Sequence, residues 1–167
     1  MRPARHRSTA CALATLALAL TAADRADALG VENAFTTAVA AIEQAVGIRH
    51  RPGRDLGCFR PGVCRAHLGG VSLRSVGNAA GTRLTVTSAP ATGAIAPAPG
   101  AVLPACAAAL AAIAHLEGDD ARHILAAAAQ KPTAVDGISV TRTAASAGMV
   151  CRLHVPANAN ALAPAPQ

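Results

Sequence analysis

Residues 63–88 read VCRAHLGGVSLRSVGNAAGTRLTVTS, and the alternation within this stretch decides the fold. VCRAHL and VSLRSV flank Gly69-Gly70, a two-residue hairpin signal, and TRLTVTS follows the turn Asn78-Ala79-Ala80-Gly81. Three consecutive antiparallel strands are expected. With the two glycines as the loop, Leu68 stands opposite Val71, Ala66 opposite Leu73 and Cys64 opposite Ser75, all on one side of the sheet. The other side then carries His67 opposite Ser72 and Arg65 opposite Arg74. The second turn extends this register, setting Leu73 against Val86 on the first side and Arg83 across from Val76 on the second. One side is apolar and the other basic, so the apolar side needs cover.

That cover is sought on either flank. Upstream, Val31, Phe35, Val39, Ile42 and Val46 recur at helical steps and form one apolar stripe that Gly47 ends. A polar segment, IRHRPGRDLG, links this helix to the strands. Downstream, APATGAIAPAPGA over 89–101 is a Pro/Ala/Gly connector. Pro104 then suits the first turn of a helix in which Cys106, Leu110 and Ile113 share a face, and Gly118 interrupts it. Asp119 or Asp120 is placed to cap a second helix that Pro132 stops. ISVTRT and MVCRLHV flank a short Ala/Ser/Gly turn, with Met149, Cys151, Leu153 and Val155 on one side. The expected fold class is α+β, an antiparallel sheet of about five strands with helices packed on one face, in the order α-βββ-α(α)-ββ.

The leader-like start sets the expected compartment. MRPARHR is basic, ACALATLALALTAA is apolar, and Ala26-Asp27-Ala28 has the small-x-small form of a cleavage site. Residues 1–28 are therefore read as a cleaved bacterial export signal, 29–155 as a single domain and 156–167 as a disordered tail. The apolar run is shorter than the roughly 20 residues a spanning helix needs, so no transmembrane segment is expected after cleavage. The expected location is periplasmic or secreted. Losing four arginines and two aspartates from the chain's 15 basic and 9 acidic residues leaves a net charge of +4. Mild basicity of this kind favours anionic partners.

Cleavage also removes Cys11, leaving Cys58, Cys64, Cys106 and Cys151. Four cysteines in an oxidising compartment make two disulfides, with three pairings open. A loop of Arg60, Pro61 and Gly62 sets Cys58 across from Cys64, leaving Cys106 on a helix to meet Cys151 on the last strand. Cys64 with Cys106 is the competing pair, because both point at the core. With only Phe35 and Phe59 as aromatics in the mature chain, the core rests on Leu, Ile, Val and Ala, and covalent staples carry more of the stability.

Catalytic apparatus is scarce. No Gly-x-Ser-x-Gly elbow, Ser-x-x-Lys pair, Cys-x-x-Cys motif or glycine-rich phosphate loop occurs in the mature sequence, so an enzyme is the less favoured class and no cofactor is expected. His115, Glu117, Asp119, Asp120 and His123 fall within nine residues and define the alternative reading, a metal-binding protein or metal-assisted enzyme. Their spacing lacks the His-Glu-x-x-His step that sets two imidazoles one helical turn apart. The leading expectation is a small exported, disulfide-stabilised binding protein that presents Arg65, His67, Arg74 and Arg83, with Arg60 reaching in from the turn, to an acidic protein surface or an envelope polyanion. Nucleic acid is set aside as the partner, for want of exposed aromatics on which bases stack. A structural envelope protein without a discrete ligand is the remaining alternative.

Overall fold

The computed structural model describes residues 33–49, 55–88, 100–145 and 148–158. The expected signal over 1–28, most of the connector and the tail beyond 158 lie outside the described residues. Residues 33–46 are helical and are labelled α1. The strands β1 (Leu56–Arg60), β2 (Val63–Leu68), β3 (Val71–Asn78) and β4 (Gly81–Ser88) follow. Helices α2 (Val102–Ala114) and α3 (Gly118–Ala127) come next, then β5 (Thr133–Val135), β6 (Ile138–Ala145) and β7 (Gly148–Pro156).

All seven strands join one antiparallel sheet in the order β1-β2-β3-β4-β7-β6-β5. The α+β class holds, but the strand count is seven rather than about five. The two additions are short edge strands. β1 exists because the turn that sets Cys58 opposite Cys64 also carries backbone pairing back to Leu56 opposite Ala66. β5 exists because Asp136 and Gly137, both at positive φ (48° and 79°), form a tight hairpin turn into β6. At the other end, β7 runs to Pro156, which pairs with Gly81 and so belongs to the sheet rather than to the tail.

The expected register of β2, β3 and β4 is the observed one, residue for residue: Leu68 with Val71, Cys64 with Ser75, Arg65 with Arg74, Leu73 with Val86 and Val76 with Arg83. Turn chemistry fixes it. Gly69 takes φ 60°, the positive value a primed hairpin turn demands at its first loop residue. In the next turn Asn78 Oδ1 accepts the Ala80 N–H at 2.9 Å, and Gly81 (φ 134°) leaves no room for a Cβ, which would collide with the backbone of Val155 and Pro156.

The apolar side of the sheet is buried. Ala66, Leu68, Val71, Leu73, Leu84, Val86, Val140 and Leu153 join Phe35, Ala38 and Ile42 of α1 and Ala105, Leu110, Ala121 and Leu125 of α2 and α3 in one core. Helix α2 lies on β4 and β7, and α3 lies on β5 and β6. The helix ends differ from expectation. α2 stops at Ala114 because His115 turns left-handed (φ 52°) and returns its N–H to the Ala111 carbonyl, so Gly118 begins α3 instead of ending α2. Glu117, without a side-chain cap bond, is the N-cap of α3. Asp119 and Asp120 sit in the first turn, where the helix dipole favours carboxylates.

Both disulfides are formed, Cys58–Cys64 and Cys106–Cys151. Cys106 and Cys151 are fully buried with Cα atoms 6.4 Å apart, so this bridge joins the helical layer to β7 through the core. Cys58–Cys64 closes the β1–β2 edge.

Candidate functional site

The strands' alternation sends every second side chain away from the helices, and no aspartate or glutamate lies in any of the seven strands. The described carboxylates, Glu43, Asp55, Glu117, Asp119, Asp120 and Asp136, belong to helices and turns. Basic side chains instead populate the outer face, where Arg65, His67, Arg74 and Arg83 are all exposed, as expected. Arg60 is exposed too and pairs with Val63 beyond an irregularity in β1, which places it at the edge of the same face.

Strand order adds two basic residues that sequence reasoning does not bring to this face. Because β7 inserts beside β4, Arg83 pairs with His154 and Thr85 pairs with Arg152. The alternation in MVCRLHV already sets Arg152 and His154 opposite to Cys151, but nothing local tells which strand they will flank. A row of residues consequently crosses the sheet: Gly57, Arg65, Arg74, Thr85, Arg152, Thr141. A neighbouring row holds Val63, Val76, Arg83, His154 and Ser139. Neighbouring strands lie about 4.8 Å apart, so Arg65 and Arg152, three strands apart in one row, are separated by roughly 14 Å along it. Arg83 stands diagonally from both Arg74 and Arg152, at about 7–8 Å between Cα atoms. Three arginine positions thus flank Thr85, which is half-buried. His154 presents a further feature: its Nδ1 is buried with no hydrogen-bond partner.

One aromatic residue overturns an expectation. Phe59 is 73% exposed, so the face is not free of exposed rings. The ring folds back along β1, and its Cζ lies 3.1 Å from where a Cβ on Gly57 would stand. Gly57 is opposite Arg65, so the phenyl group occupies the β1 end of the arginine row. A side chain at position 57 would press on the ring and make it give by a few tenths of an ångström, and the signal for this close approach in the sequence is the Gly-x-Phe spacing in LGCFR.

The 115–123 stretch forms no comparable site. His115 terminates α2, Glu117 caps α3, Asp119 pairs with Arg122, and Asp120 and His123 are exposed. Among the described residues, no three His, Cys, Asp or Glu side chains come together to hold a metal ion. Cys58 and Cys64 are consumed in a disulfide, so neither is a free thiolate for a metal.

Two closed disulfides are the mark of an oxidising, extracellular type of environment. No single helix among the described residues is long and apolar enough to cross a membrane. No family model, curated protein or solved structure matches the chain.

Proposed function

We propose that this protein is a small exported interaction domain, periplasmic or secreted, that takes an anionic partner on the outer face of its sheet. The observation that carries this reading is the segregation of charge: seven strands without a carboxylate, and Arg65, Arg74, Arg83 and Arg152 exposed on one side of them. Like charges directly opposed across strands, as Arg65 and Arg74 are, cost a few tenths of a kcal/mol, a cost that a bound anion offsets. Guanidinium groups suit this role because their planar fork meets carboxylate, phosphate or sulfate oxygens two at a time. An acidic protein surface and an envelope polyanion both supply such groups. The domain needs no cofactor and no catalytic residue for this work.

The test is titration of the folded protein with inorganic polyphosphate at low and high salt. Affinity is expected to fall steeply as salt rises, and Arg74→Glu is expected to abolish binding while the circular dichroism spectrum stays unchanged. Binding that ignores both salt and the charge reversal overturns the proposal. Failure of any polyanion to bind favours a structural envelope protein instead.

A further inference from the structure

We infer that the outer face is a platform for single-stranded nucleic acid without sequence preference, with a base stacked on Phe59 and the phosphates following the arginine row across the sheet. This deepens the proposed function and rests on the basic face being a binding surface. It adds a ligand class, which charge alone does not select.

The argument begins with what an unpaired nucleic acid strand requires: a basic track for its backbone and an aromatic ring for its bases. Both occur here in one row. Phe59 lies over Gly57 with 73% of its surface open, next to Arg65 on the facing strand, and the row continues through Arg74, Thr85 and Arg152. A strand laid perpendicular to the β-strands with one base on the ring meets a guanidinium group at the next two strands and again at the fourth. Thr85 and Thr141 add hydroxyl groups along the same line, donors and acceptors for sugar and phosphate oxygens. The strands themselves carry no carboxylate to repel phosphate; Asp55, whose carbonyl accepts the His67 N–H at 2.7 Å, stands just before β1 beside the row.

The ring separates this ligand from other polyanions. A large apolar side chain exposed at the end of a charged row adds nothing to polyphosphate or polyglutamate, which have no planar surface to cover it. Duplex DNA keeps its bases stacked on one another and so denies them to Phe59.

The experiment compares a short labelled oligothymidylate, the same backbone carrying abasic sites throughout, inorganic polyphosphate and polyglutamate. The oligothymidylate is expected to bind most tightly, and Phe59→Ala to weaken it about tenfold while leaving the abasic strand and polyphosphate unaffected. The chain contains no tryptophan, so Phe59→Trp supplies a single fluorophore, expected to be quenched by oligothymidylate and not by polyphosphate. Gly57→Val, whose branched side chain crowds the ring, is expected to weaken oligothymidylate binding in the same direction as Phe59→Ala. If polyphosphate, polyglutamate or the abasic strand binds as tightly as oligothymidylate, or Phe59→Ala changes nothing, the nucleic acid inference falls and the basic face stands. If none of the four binds, both fall.

Discussion

The two faces of the sheet are built from the same strands and obey opposite rules. On the inner face, Leu73, Leu84, Val86, Val140 and Leu153 are wholly buried, and their identity is dictated by packing against α1, α2 and α3. On the outer face, their immediate neighbours Arg74, Arg83 and Arg152 are exposed, and packing dictates nothing about them. Adjacent residues therefore answer to different constraints: Leu73 to the core, Arg74 to whatever meets the surface. A face that only needed solubility would be expected to mix charges of both signs. This one carries a single sign on its strands, which is why function is sought there.

The two staples differ in place, one through the core and one at the β1–β2 edge, and removing the core bridge is the most severe change. Replacing Cys106 and Cys151 together by Ala removes the covalent tie between the inner face and its helical cover, and loop-closure entropy puts the loss at roughly 4 kcal/mol. Chemical denaturation measures it. Leu73→Ala comes next, with an expected loss of about 3 kcal/mol from lost burial and the cavity left behind, whereas Arg74→Ala, one residue away, is expected to stay within about 0.5 kcal/mol of the parent. Equal losses at 73 and 74 in paired denaturation curves erase the distinction between the faces. Third is the edge staple. Cys58→Ala with Cys64→Ala is expected to cost about 2.4 kcal/mol, less than the core bridge because the loop it closes is shorter. The reverse order in the same denaturation series contradicts the loop-length account.

The smallest effect sharpens the comparison most. Arg65→Gln relieves the opposition of Arg65 and Arg74, so stability is expected to rise by a few tenths of a kcal/mol at low salt. The gain should vanish as salt screens the pair. Thermal melts across a salt series read this directly, and a gain that persists in high salt points to strand propensity rather than charge.

Much of the architecture is legible in the residues themselves. The β2–β3–β4 register follows from Gly69-Gly70 and Asn78–Gly81, because turn length and side-chain alternation leave one pairing that buries a continuous apolar face. The favoured disulfide pairing follows from the same logic, since Cys58 and Cys64 flank a reversal and Cys106 and Cys151 both face inward. Two features are written in the residues but gain their meaning only from context. Asp136-Gly137 between TAV and ISV is a strong hairpin signal, yet three residues are too few to show the alternation that marks β5 as a strand. Gly57 and Phe59 in LGCFR announce a ring laid on a strand only once β1 is known to be a strand.

The positions of Arg152 and His154 are of another kind. Alternation reports which side of its own strand a residue occupies, and so the sequence determined that these two share a face opposite Cys151. Which strand they lie beside depends on β7 entering next to β4, across the whole α2–α3 segment, and no local pattern encodes a pairing between elements so far apart. That choice came from seating α2 on both strands at once and bridging it to β7 through Cys106–Cys151. Periodicity, turns and cysteines are local properties and can be read residue by residue; the assembly of one basic row from β2, β3 and β7 is a property of the packed sheet.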